Sequence, residues 1–217
     1  KVLELGASLI MAVRNKSKAE ALKASLLEDF ENADISYIIV DLEDIDSVRN
    51  ACEEIISLGA DVIIHNSGAY SIPRKKCSTS LDNVFQINFF SPYYITRVLA
   101  PYLEEVQGRV IFVGSIAHNY SKTDQSDIDF SKRQKASLVY GNAKRYLMFS
   151  AFDLAEKHPK IHFSVTHPGI TFTNITSHYP PIIFAIIKHP MKIIFMKPKK
   201  AAESIIRGIF EKTERNT

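Results

Sequence analysis

The chain has 217 residues, of which 46% are hydrophobic and 24% are charged, a composition that excludes fibrous and disordered classes and suffices for one large core. The net charge of +3 is too small to indicate a nucleic-acid groove, so we expect no nucleic-acid partner. Two cysteines without a disulfide framework favour a reducing compartment, and we predict a cytoplasmic protein. The seven histidines lack metal-binding spacing, so no metal site is predicted.

The first residues predict the end of a structural unit. Residues 1–5 resemble the last turn of a helix that Gly6 terminates, and the apolar run at 8–13 predicts a buried strand. The alternative is that residues 1–8 are themselves a first strand.

Apolar runs alternate with amphipathic runs along the rest of the chain. This alternation predicts one α/β domain over residues 1–217, a doubly wound parallel sheet with helices on both faces, of Rossmann-like architecture. Strands are predicted at 8–13, 35–40, 61–65, 109–113 and 161–166, and helices at 17–30, from about 45, at 81–103 with an interruption near Pro92, within 132–158 and at 199–212.

Polar residues and glycines follow the predicted strands, at the edge where open α/β sheets bind ligands. Each set is also ordinary turn chemistry, since Asn, Asp, Ser, Gly and Pro commonly end strands. The sets are Arg14 and Asn15, then Asp41, then Asn66, Ser67 and Gly68, then Gly114 and Ser115, and finally His167, Pro168 and Gly169.

Tyr140 and Lys144 are four positions apart in a segment predicted to be helical, so they lie on one face of the helix. An ammonium beside a phenol lowers the pKa of the phenol, which favours proton transfer near neutral pH. The alternative for such a pair is two snorkelling side chains on a partly exposed helix.

Together the motifs resemble the short-chain dehydrogenase/reductase family, from Gly6 to about Thr213. The segment HNSGA at 65–69 is similar to the family's Asn-Asn-Ala-Gly motif, with two substitutions. Asn88 in FQINFF, Ser115 in VGSIAH, the Tyr140 and Lys144 pair, and HPGITFTN at 167–174 match its other motifs.

A branch of the family is indicated by the residues around the catalytic serine. Ala117 and His118 follow that serine, Asp129 and Phe130 precede the tyrosine helix, and the interval between serine and tyrosine is long. These features are similar to the retinol-dehydrogenase-like branch.

The resemblance implies a catalytic role for each of four residues. Tyr140 would exchange a proton with the substrate oxygen, and Ser115 would donate a hydrogen bond to that oxygen. Lys144 would lower the pKa of Tyr140 and bind the nicotinamide ribose. Asn88 would hold a water that links Lys144 to solvent, although its amide could simply satisfy backbone groups.

The implied cofactor is NADP(H) in preference to NAD(H). Arg14 follows the family's second strand, where an acid would bind a ribose hydroxyl and an arginine suits a 2′-phosphate. Asp41 and Leu42 resemble the adenine-contacting pair, although Asp41 could instead cap the helix near Ile45. The other implied cofactor residues are Asn66, Ser67, Gly68, Tyr140, Lys144, Pro168, Gly169, Ile170, Thr171 and Thr173.

The family's glycine-rich phosphate loop does not occur in this sequence. We expect the family's first strand, that loop and most of the first helix to precede Lys1 in a longer protein, and a final strand to follow the last helix. A truncated gene product is the alternative.

Residues 177–198 correspond to the segment that covers the substrate in the family. Their apolar composition favours an apolar carbonyl or alcohol substrate; an interfacial membrane contact through 182–197 and simple core packing are the alternatives. No apolar run approaches the roughly 18 residues that span a bilayer. The predicted function is an NADP(H)-dependent oxidoreductase, with a non-catalytic dinucleotide-binding relative as the alternative, and family resemblance implies a homodimer.

Overall fold

The computed structural model describes residues 1–167, 169 and 198–210. Strands and helices alternate through these ranges, as the sequence predicts. The strands are β1 (Leu9–Val13), β2 (Ile35–Ile39), β3 (Val62–His65), β4 (Arg109–Val113) and β5 (His162–Thr166). The helices are α1 (Lys16–Asp29), α2 (Ile45–Ser57), α3 (Asn83–Phe85), α4 (Ser91–Glu105), α5 (Ala136–Lys157) and α6 (Pro198–Phe210).

All strand pairs are parallel, which confirms the predicted α/β class. The described strands form a pair, β1–β2, and a triplet in the order β3–β4–β5. No ladder joins the two parts among the described residues. Among the described strands, β1 pairs with β2 alone. Of the predicted buried strand at 8–13, only Met11 is buried.

One hydrophobic core nevertheless connects the two parts of the sheet. Ile38 of β2, Leu99 of α4 and Phe112 of β4 are each at most 2% exposed and belong to the same cluster. Ile10 of β1 and Ile63 of β3 pack against that cluster. Burial of shared apolar surface therefore unites strands that are not hydrogen-bonded to one another.

The helical segment before β4 is irregular just before Pro92, close to the predicted interruption. Asp82 begins α3 by accepting hydrogen bonds from the N–H groups of Val84 and Phe85, and a π-helical turn at Gln86–Phe90 leads into α4. Pro92 lies in the first turn of α4, where its missing N–H is tolerated. The predicted interruption near Pro92 is therefore a π turn that ends two residues before the proline and contains Asn88.

Several predicted features lie outside the described residues. They are residues 177–197 of the substrate-covering segment 177–198, the membrane-contact segment 182–197, and the cofactor residues Pro168, Ile170, Thr171 and Thr173. Within the described part of the chain, no helix is both long enough and apolar enough to cross a membrane.

Candidate active site

The predicted ligand-binding edge is built from the carboxyl ends of β3, β4 and β5. His65 lies opposite Phe112, and Val113 lies opposite Thr166, so the three strands end side by side. The N–H of Gly114 donates to the carbonyl of Thr166 at 2.8 Å and extends this alignment by one residue. The structure therefore brings Asn66, Ser67, Gly68, Gly114, Ser115 and His167 to one edge of the sheet, as predicted.

The Ser115 hydroxyl lies close enough to the Tyr140 phenol to lower the pKa of the phenol. Ser115 is in extended conformation and caps a 3-10 helix at Ile116–Tyr120, where its Oγ accepts the N–H of Ala117 at 3.3 Å. Tyr140 is in the second turn of α5, which the sequence predicts as a helix. Two residues that are distant in sequence therefore meet where a substrate oxygen could contact both.

The pKa of Tyr140 is raised above its usual value, in contrast to the lowering that the sequence predicts. Burial of the phenol is the main cause, the Ser115 hydroxyl opposes it, and the nearby Tyr70 adds to it. Lys144 Nζ lies over the Tyr140 ring at 5.8 Å from the ring centroid and donates a hydrogen bond to the carbonyl of Val113 at 2.9 Å. The spacing correctly places both side chains on one face, but it does not specify the partner of the ammonium.

Lys144 is 4% exposed, and burial lowers its pKa to about 8. Its hydrogen bond to Val113 fixes the ammonium at the end of β4, close to Gly68. A Cβ atom on Gly68 would lie 3.8 Å from Nζ and only 2.8 Å from Asn88 Oδ1. Glycine at this position therefore allows the loop after β3 to pass directly over both side chains.

Asn88 is fully buried in the π turn, and its amide is occupied by backbone groups. Nδ2 donates to the carbonyls of Val84 and Ala69, both at 2.7 Å, and Oδ1 accepts the N–H of Ala69 at 3.2 Å. This geometry agrees with the alternative of a backbone-satisfying amide. The side chain connects the loop after β3 to the helix that runs beneath it, and the water-holding role stays a prediction.

Gly141 was not identified from the sequence as part of the site, but it determines how closely α5 approaches Ser115. A Cβ atom there would lie 2.6 Å from the carbonyl oxygen of Ala117 and 2.8 Å from Ser121 Cβ. The available signal was a glycine within a predicted helix, which costs stability unless close packing requires it. Tyr70, whose ring contacts Tyr140 edge-on at a centroid distance of 5.3 Å, was also missed.

His65 ends β3 and is buried, with 8% of its surface exposed. Its ring stacks on Phe112 with centroids 5.0 Å apart, and Nε2 is 2.9 Å from Thr96 Oγ1. Burial, assisted by the charge of Lys144, lowers the pKa of His65 to about 3. The imidazole is therefore neutral at physiological pH.

The predicted adenosine-side residues lie at the ends of β1 and β2. Arg14 is exposed and makes no hydrogen bond or ion pair with any described residue, whereas Asn15 caps α1 by accepting the N–H of Lys18 at 2.9 Å. Asp41 does not cap α2. Its carboxylate accepts the N–H of Glu43 at 2.9 Å, and Asp44 is the cap of that helix.

Leu42 continues the same loop and is tied to the helical segment that holds Asn88. Its carbonyl accepts hydrogen bonds from Ser91 Oγ at 2.6 Å and from Gln86 Nε2 at 3.2 Å. The loop after β2 is therefore fixed relative to the π turn.

A pocket of about 220 Å³ opens beside Ser115. Polar side chains on its wall come from three parts of the chain, and the remainder of the wall is mainly apolar. The polar lining residues are Ser115, His118, Asn119, Lys144 and His167, and none of the described lining residues is acidic.

The chain is similar to known proteins over most of its length. A family model described as short chain dehydrogenase matches residues 1–181. The chain is 26% identical over 188 residues to short-chain dehydrogenase TIC 32 B, chloroplastic, of Brassica napus, covering 80% of this chain and 59% of the relative. It is 25% identical over 192 residues to retinol dehydrogenase 14 of Mus musculus, covering 82% and 58%. It therefore spans less than two thirds of the length of these two relatives.

A solved short-chain dehydrogenase from Sphingobium yanoikuyae, in complex with NADPH, has the same fold. The TM-score is 0.63 at 15% identity, and the match covers 98% of this chain and 88% of that chain.

Proposed function

Since this chain belongs to the short-chain dehydrogenase family, we propose that it transfers a hydride between NADP(H) and the carbonyl or alcohol carbon of an apolar small molecule. The observation that carries the proposal is the placement of the Ser115 hydroxyl near the Tyr140 phenol, with the buried ammonium of Lys144 5.8 Å from the centroid of the Tyr140 ring. When bound, the nicotinamide supplies or receives the hydride. The residues of this chain move the accompanying proton and stabilise charge on the substrate oxygen.

Tyr140 is the proposed general acid in reduction and the general base in oxidation. Ser115 donates to the same oxygen, where negative charge develops in the transition state. The raised pKa of Tyr140 keeps the phenol protonated, which suits proton donation to a carbonyl. Lys144, within 5.8 Å of the ring centroid, favours the phenolate that this donation leaves.

Arg14 supports NADP(H) over NAD(H). Its guanidinium is exposed at the end of β1 and has no partner among the described residues, so it is available for bidentate contact with a 2′-phosphate. Asp41 and Leu42 are the proposed adenine contacts at the end of β2. An Arg14→Ala variant is expected to bind NADPH at least tenfold more weakly and NADH almost unchanged; equal losses would remove the reason for choosing the phosphate.

Two further proposals concern location and assembly. Cys52 and Cys77 are free thiols, which supports a reducing compartment and a cytoplasmic protein, with membrane-surface contact as the alternative. Phe149 and Phe152 of α5 are 52% and 68% exposed and support a homodimer through this helix. Sedimentation of wild-type and Phe152→Glu protein tests the dimer, since the charge should shift it to monomer.

The activity is tested with the intact protein, NADPH and a panel of apolar ketones and aldehydes. Tyr140→Phe is expected to abolish turnover, by at least a hundredfold, because it removes the transferable proton. Tyr120→Phe is the matched control, since Tyr120 is 72% exposed and does not line the pocket beside Ser115. Cofactor binding without turnover across the panel would instead support a non-catalytic dinucleotide-binding protein.

A further inference from the structure

Two hydrogen bonds, one to its ring and one to its backbone, hold His118 beside Ser115. Its Nδ1 is 2.6 Å from the carbonyl oxygen of Ser115, and its own carbonyl accepts a hydrogen bond from Arg145 Nε at 2.9 Å. The ring of His118 is therefore hydrogen-bonded to the residue that follows β4 by two positions, and the backbone of His118 is hydrogen-bonded to α5. Such attachment fixes the ring relative to Ser115.

The contact with Ser115 determines the tautomer of His118. A carbonyl oxygen can only accept, so Nδ1 carries the proton and, in the neutral ring, Nε2 is the acceptor. Nε2 makes no hydrogen bond to any residue in the described part of the chain. The ring lines the pocket beside Ser115, so the pocket wall contains an acceptor that has no donor among the described residues.

The charge around the pocket limits which donor could fill this position. Lys144 lines the same pocket, and its described wall contains no carboxylate. A cationic ammonium on a ligand would be repelled by Lys144 without compensation, whereas a hydroxyl is neutral and pairs with an imidazole acceptor. The walls contributed by Ile116, Met148 and Val165 suit an apolar body.

We infer that His118 is a specificity-determining residue that accepts a hydrogen bond from a hydroxyl group on the substrate, at a carbon other than the reacting one. The substrate class is therefore a hydroxyl-bearing ketone or aldehyde with an apolar body. The inference rests on the proposed function, which makes a carbonyl the reacting group of the substrate. Recognition of the hydroxyl is a binding property and can be measured without turnover.

The probes are matched aromatic ketones that differ at one position: 4′-hydroxymethyl-, 4′-methoxymethyl- and 4′-ethylacetophenone, and their 3′ isomers. The methoxymethyl group can accept but not donate, and the ethyl group can do neither. For at least one isomer, we expect wild-type protein to prefer the hydroxymethyl ketone about tenfold over both analogues, in binding by calorimetry and in kcat/KM with NADPH. One neutral hydrogen bond accounts for a preference of this size.

Two substitutions separate recognition from positioning. His118→Asn keeps an N–H donor near the position of Nδ1 but lacks an acceptor near Nε2, so the preference should fall to about one. His118→Gln can place an amide oxygen near Nε2 and should retain part of the preference. A role limited to holding Ser115 would affect all three probes equally and leave their ratios unchanged.

The outcomes distinguish this inference from the proposed function. Equal binding of the three probes in both isomer series, or a hydroxyl preference unchanged in His118→Asn, would overturn the inference even if all probes are reduced. A preference in binding that His118→Asn removes, without turnover of any probe, would support the inference and count against the reductase activity.

Discussion

Lys144→Met is expected to stabilise the fold while it abolishes turnover. The lysine is 4% exposed, and burial lowers its pKa from 10.5 to about 8. Because its folded-state pKa lies below the unfolded value, protonation favours the unfolded chain. The free energy of unfolding therefore decreases as pH falls from 10.5 towards 8 and stays low below that range.

The size of the effect follows from the difference between the two pKa values. At about 1.4 kcal/mol per pH unit, the ammonium costs about 3 kcal/mol at pH 7 and about 1 kcal/mol at pH 9.5. Methionine removes this cost because it cannot be protonated. It also removes the hydrogen bond to the carbonyl of Val113, a loss of about 1 kcal/mol that does not depend on pH.

The assay is urea unfolding of wild-type and Lys144→Met protein at pH 7 and pH 9.5. We expect the stability difference between them to shrink by about 2 kcal/mol at the higher pH, and turnover to be absent from the variant at both. The control is Lys157→Met on the same helix, where an exposed ammonium pairs with Asp153. A difference that stays constant between the two pH values, or equal shrinkage in the control, would refute the reasoning.

Three further predictions concern His65, Asp127 and Gly68. Folded His65 is neutral because its pKa is about 3, so stability should fall as pH decreases below about 6.5, and His65→Gln should flatten that urea-midpoint profile. Backbone N–H groups and Arg133 lower the pKa of Asp127 to about 2. The ionised carboxylate therefore stabilises the fold above about pH 4, and this contribution is lost as pH falls towards 2. Asp127→Asn protein should be less stable at pH 7, and its stability should change less between pH 4 and pH 2.5. Gly68→Ala places a Cβ atom 2.8 Å from Asn88 Oδ1 and should lower kcat about tenfold or more, so a wild-type kcat would contradict the close approach.

The sequence predicts which residues form the site because their positions follow regular periods. Parallel strands end at one edge, so Gly68, Ser115 and His167 could be placed together from the strand pattern alone. The helical period likewise places Tyr140 and Lys144 on one face. These inferences depend on spacing along the chain, which the sequence contains.

The parts that the sequence did not predict depend on distances between elements. The direction of the Tyr140 pKa shift depends on the depth of burial and on the choice of Val113 as partner for Lys144. Pro92 indicates an irregularity nearby, but the sequence does not show that it takes the form of a π turn at Gln86–Phe90. Gly141 matters because Ala117 lies where a side chain would be.

Burial links the stability of this site to its chemistry. His65 and Lys144 each have a lowered pKa, and the charge of Lys144 contributes to the lowering at His65, so the region behind the site is both enclosed and electrostatically coupled. Burial makes the charged form of Lys144 destabilise the folded state. The same low dielectric strengthens its attraction for negative charge on the oxygen of Tyr140. Lys144→Met removes the destabilising buried ammonium and, with it, the positive charge that attracts the Tyr140 oxyanion. Gain of stability and loss of turnover are therefore expected in the same variant.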